Sequence, residues 1–190
     1  MMEALVLNAF QRYVDINARD KKLILDRWSE FRFPKHSIIS MAGNVEKRFY
    51  IVGSGVQKIM FEHEARSHCL GFAYNGSWCG DYISFVSQRA SKLQVEALSD
   101  SVLYGIAYPD LMDLYKCVPI LERWGRLILE ELLQGRAQRE IEMLSLNAED
   151  RYVKFMERSS HVLQLVPQKD IASYLGMTPE SFSRLRAKMS

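Results

Sequence analysis

The stretch that most restricts the fold is VPQKDIASYLGMTPESFSRLRAKMS, residues 166–190. Pro167 suits a first helical position, where a missing N–H has no partner to lose. Ile171, Ala172 and Leu175 recur at helical spacing, and Gly176 supplies the left-handed residue that ends a helix. One residue further on, Thr178 is an N-cap, with Pro179 at N1 and Ser181 at N3. Phe182 and Leu185 then point inward along a second helix. Two short helices turning on one glycine, with small Ala172 at their crossing, make a helix-turn-helix.

The second helix is the one shaped to enter a major groove. Glu180 and Arg184 are four residues apart and share a face. A carboxylate can accept from cytosine N4, and a guanidinium can bind guanine O6 and N7 together. Thr178, Pro179, Ser181, Ser183 and Lys188 flank them as phosphate or peripheral base contacts, and Gln168 and Lys169 add to the DNA-facing set. The competing reading is a plain helical hairpin with a solvated Glu–Arg pair.

The 190 residues carry a net charge of only +2, so nucleic-acid affinity has to come from locally placed groups. Beyond Asn147 there are seven basic and five acidic residues, so this segment holds the whole excess. Cys69, Cys79 and Cys117 are scattered without metal-ligand spacing, which favours a reducing compartment and buried thiols. No run approaches the ~18 apolar residues of a membrane span, and the start lacks a signal pattern. A cytoplasmic protein without membrane contact is expected. No Gly-rich phosphate loop, H-E-x-x-H or G-x-S-x-G is present, so the sequence points away from an enzyme.

Residues 1–28 read as helical, with a restart at Asn17 or Asp20. Four β-type runs follow: FRFPKHSIISMAG, KRFYIVGSGVQKIMF, SHCLGFAYNGSWCG and KLQVEALSDSVLYGIAY. Glycines and polar turns punctuate them at the intervals of a sandwich or barrel, giving an antiparallel β-domain over residues 31–108. A short helix is expected over 110–115 and a long one after Pro119, about 25 residues or roughly 38 Å. Its stripe through Leu121, Trp124, Ile128 and Ile141 is read as meeting the same helix of a second subunit. Asn147, with Asp150 three residues on, starts another helix, carrying Tyr152, Val153, Phe155 and Met156 inward. The break before it is the expected hinge. The fold class is α+β: a β-roll or jelly-roll sensor domain (1–116), a dimerisation helix (117–146) and a small helix-turn-helix domain (147–190).

This order of elements, with LGMTPESFSRLR and NAEDRY as its most specific pieces, resembles the Crp/Fnr family of bacterial transcription regulators. The resemblance implies that Glu180 and Arg184 stand at the base-reading E-x-x-x-R positions. Pro179 replaces an arginine common in the family, and the sequence stops at Ser190, before the wing that usually follows. It implies double-stranded DNA, a homodimer partner and RNA polymerase as partners.

The family's sensor domain can hold a cyclic nucleotide through a Gly-Glu turn and, about ten residues later, an arginine paired with the phosphate. Here Gly80-Asp81 replaces Gly-Glu, and Ser91 falls at the arginine position. Arg89 and Lys92 are nearby but poorer substitutes. No tight cyclic-nucleotide binding is expected, and the sequence names no other cofactor or effector. An iron–sulfur cluster would need about four cysteines. A haem would need His63 or His68, which sit in the polar run EHEARSH.

The sequence thus reads as a dimeric regulator on a palindromic site. The alternative is a ligand-binding or protein-interaction module whose helix-turn-helix is vestigial.

Overall fold

The computed structural model describes residues 1–64 and 66–189. Ala65, inside the EHEARSH run, and Ser190, at the end of the terminal stretch, lie outside the described residues.

Two helices lead in. α1 (Met2–Gln11) buries Val6 and Phe10. α2 (Ala18–Leu25) is capped by Asn17, whose side chain accepts from the Asp20 N–H at 2.9 Å. Trp28, expected at the end of this helical lead, instead opens the first strand, because Arg27 closes the helix onto the Ile24 carbonyl.

The β-runs fold as eight antiparallel strands in two four-stranded sheets. One sheet contains β1 (Trp28–Phe33), β3 (Arg48–Ser54), β6 (Trp78–Cys79) and β8 (Ser101–Ala107) in the order β1-β8-β3-β6. The other contains β2 (Ile38–Ser40), β4 (Gln57–His63), β5 (Arg66–Ala73) and β7 (Leu93–Ala97) in the order β2-β7-β4-β5. Tyr50, Val52, Cys79, Val95 and Leu103 fill the space between them. Alternation along β3 and β8 turns Phe49, Ile51, Tyr104 and Ile106 to the opposite face, where a second core forms with the helices. Between β6 and β7 lies a helix the sequence reading did not anticipate, α3 (Tyr82–Ser87).

α4 (Tyr108–Cys117) leads into α5 (Ile120–Ser145), 26 residues long. The seam drawn through Leu121, Trp124 and Ile128 is corrected by their burial within their own protomer. Trp124 stacks on Phe10 with ring centroids 4.2 Å apart and donates its indole N–H to the Ala9 carbonyl at 3.1 Å. A second subunit cannot reach these side chains. Ile141 is exposed, as are Leu129, Leu133 (68%) and Leu144 (82%). Leu129, Leu133 and Leu144 fall four and eleven residues apart on a stripe of α5 turned away from the core.

Asn147 caps α6 (Ala148–Ser159) by accepting from the Asp150 N–H at 3.0 Å. Tyr152 and Phe155 face inward and Met156 is half-buried, whereas Val153 is exposed. A 3₁₀ turn (Ser160–Gln164) precedes α7 (Gln168–Tyr174) and α8 (Pro179–Met189). Cys69 and Cys79 are buried as expected; Cys117 is exposed. Among the described residues no helix is long and apolar enough to cross a membrane.

Candidate nucleic-acid interface and sensor cleft

The turn between α7 and α8 is a Schellman motif. Gly176 has φ +69°, its N–H reaches the Ser173 carbonyl at 3.0 Å, and the Met177 N–H reaches the Ala172 carbonyl at 3.0 Å. A Cβ at Gly176 would also lie 2.5 Å from Cε of Met143 on α5, whose flexible tip would have to move, so the positive φ is what demands glycine here. Thr178 caps α8 by accepting from the Ser181 N–H at 3.2 Å. Ile171, Ala172, Leu175 and Phe182 form the buried interior of the pair.

This leaves Thr178, Pro179, Glu180, Ser183 and Arg184 exposed, with Ser181 half-buried. Glu180 and Arg184 form no ion pair with each other among the described residues; Arg184 instead leans on the Ser181 hydroxyl at 3.5 Å. The backbone N–H of Glu180, then the Thr178 hydroxyl and the Arg184 charge, hold the Glu180 carboxyl below its usual range. It is therefore an ionised acceptor, as contact with a cytosine amine requires. Gln168 and Lys169 are exposed at the start of α7. Lys188 pairs with Glu149 at 2.8 Å, so its charge is partly spent within the protein.

The helix-turn-helix is moored to the rest of the chain by polar contacts that the sequence did not disclose. Arg158 on α6 grips Glu142 on α5 through both oxygens, at 2.6 and 2.8 Å. Arg151 donates to the carbonyls of Leu146 and Leu175, and Arg139 to that of Tyr174 while lying 4.4 Å from its ring. On the sheet side, the Ser173 hydroxyl accepts from the Cys69 N–H of β5 at 2.9 Å. Lys58 on β4 lies between Glu96 (3.2 Å) and Asp170 (3.6 Å).

The second candidate site surrounds α3. Gly80, with φ +117°, turns the chain so that Asp81 caps α3, its Oδ1 accepting from the N–H groups of Ile83 and Ser84 at 3.1 and 3.3 Å. Ser91 donates to Asp81 Oδ2 at 2.7 Å. Beneath Gly80, the buried Glu46 accepts from the Ser40 hydroxyl, and burial raises its carboxyl above the usual range. Gly80, Asp81, Arg89 and Lys92 line a cleft of about 960 Å³ between the roll and α5; Ser91 stays behind Asp81 and outside it. His63 and His68 are exposed, and no metal-holding cluster occurs among the described residues.

The chain is thus a β-roll with a short helix between two of its strands, followed by a long helix and a terminal helix-turn-helix. Residues 30–116 match the family model of the cyclic nucleotide-binding domain. The whole chain shares its fold with several solved structures, all of them below 25% identity to it. It superposes on the c-di-GMP-responsive global regulator CLP of Xanthomonas campestris at 20% identity, covering 91% of each chain with a TM-score of 0.69. FixK2 of Bradyrhizobium japonicum is 19% identical over 85% of this chain and 84% of its own, with a TM-score of 0.74. A protein assigned to the Crp/Fnr family from Eubacterium rectale is 18% identical over 95% and 87%, at 0.72. No curated protein sequence matches the chain.

Proposed function

We propose that the chain is a DNA-binding transcription regulator that acts as a dimer on a two-fold symmetric site and does not answer to cyclic nucleotides. The observation that carries this reading is Glu180 and Arg184, exposed and not paired with each other, on the second helix of a helix-turn-helix whose turn is closed by Gly176 and Thr178. The exposed leucines of α5 supply a face for the second subunit, with Leu129, Leu133 and Leu144 taking the role expected of Trp124 and Ile128. The same helix lines the cleft and holds the helix-turn-helix through Arg139 and Glu142, so a change at one end has a short path to the other. RNA polymerase is a further partner if the regulator acts as an activator.

Selection of bound sequences from a random DNA pool, using ligand-free protein, tests the reading. An enriched palindrome with half-sites about one helical turn apart is the expected result. Absence of any enriched sequence, with and without cell-extract metabolites, would favour the alternative of a vestigial helix-turn-helix. The Lys188–Glu149 pair speaks for that second reading, since it withdraws one cation from the DNA face.

A further inference from the structure

We infer that the cleft between α3 and α5 binds an organic carboxylate with an extended apolar body, its head group held from the helix side by Arg136 and Arg139. The inference rests on the sensor reading in taking this cleft as the ligand site, and it replaces the ligand class.

The cleft's volume is within the range of small-molecule sites, and its surface is mainly apolar. Ile59, Leu70, Trp78 and Leu93 line the roll side; Leu132 and Met143 face them from α5. A sugar would find few acceptors there. Both Asp81 oxygens are committed, one to the α3 N-terminus and one to Ser91. A ligand rich in hydroxyls would therefore be desolvated without compensation, whereas a hydrocarbon body would not.

The charges select the head group. Four basic side chains line the cleft (Arg89, Lys92, Arg136 and Arg139) against two acidic ones, Asp81 and Glu140. Asp81 is engaged as described. Arg136 has no ion-pair or hydrogen-bond partner among the described residues. Arg139 is short of an acceptor in a stricter sense: its Nη2 is used by Tyr174, but its Nε is buried with no partner. Because that Nε is shielded from solvent, an anion in the cleft would be met by the guanidinium edges that line it rather than by Nε. Arg136 and Arg139 are three residues apart on one helix, so two forks converge on one carboxylate. Arg89, Lys92 and Arg136 are all exposed, and what sets Arg136 apart is its place one turn from Arg139 on the same helix.

The full chain, without DNA, is titrated with the fluorescent acid 11-(dansylamino)undecanoic acid, followed by competition with decanoate, decanol and cAMP. Saturable micromolar binding is expected, displaced by decanoate and at least about tenfold less well by decanol or cAMP. Arg136→Gln, which breaks no contact within the protein, should weaken the probe about tenfold, and Arg89→Gln should leave it nearly unchanged. No saturable binding, equal competition by decanol, or equal loss in the two variants would overturn the assignment. Because no DNA is present, a failed DNA selection alongside intact probe binding would count against the regulator reading alone.

Discussion

Ser91 Oγ donates to Asp81 Oδ2 at 2.7 Å, with the Leu93 carbonyl 3.1 Å away. The resemblance to a cyclic-nucleotide cassette leads one to expect its phosphate cation and ribose acceptor at these two positions, and here the residues satisfy each other. Calorimetry with cAMP and cGMP should show no micromolar binding. Ser91→Ala should orphan a buried carboxylate oxygen and destabilise the protein by about 1–3 kcal/mol, read from denaturant midpoints.

Arg184→Ala should cost about 1–3 kcal/mol on the selected DNA site and relax preference at one base pair. Equal loss on unrelated sequences would mean that Arg184 touches phosphate rather than base edges.

The Arg158–Glu142 pair gives the joint between α5 and α6 a pH dependence of known sign. The Arg158 hydrogen bonds hold the Glu142 carboxyl below its usual range. A depressed carboxylate contributes stability that is complete above the unfolded value and is lost as pH falls through the folded one. Stability should therefore drop on acidification below the ordinary glutamate range, and Glu142→Gln should flatten that part of the profile. Arg158→Met should cost roughly 1–3 kcal/mol, less than for a fully buried pair because the arginine side chain is 44% exposed.

Leu133→Glu places a charge on the exposed stripe of α5 and makes no demand on the core. It should convert a dimer to monomers in sedimentation velocity with the circular dichroism unchanged. A dimer that survives this change would move the interface elsewhere.

Gly135 sits inside α5 with open space where a Cβ would stand. Gly135→Ala should raise stability by roughly 0.5–1 kcal/mol, seen as a higher Tm.

The terminal motif was legible in the sequence because its punctuation is local: Pro167, Gly176, Thr178 and Pro179 each act on their own turn of chain. The β-domain was legible for a similar reason, since each of the four runs holds two of the observed strands, one for each sheet. The failures share another cause. α3 is built from YISFVS, which has strand composition, and becomes a helix because Asp81 caps it and Gln88 ends it at φ +53°. The signal available was an Asp immediately before the apolar run. Trp124 was placed at a subunit seam because nothing in its neighbourhood announces Phe10 or Trp78, its ring partners from distant parts of the chain. The Arg158–Glu142 clasp was invisible for the same reason.

The mooring of α7 on β5 has a consequence for the state of the roll itself. β5 is the outermost strand of its sheet, and the Ser173 hydroxyl occupies its Cys69 N–H while Phe72 and Tyr74 pack under the helices. An uncovered strand edge of this kind templates pairing with other chains. The helix-turn-helix therefore also guards the roll against self-association. Any event that swings it away for long, or cuts it off, trades regulatory freedom for a sticky edge.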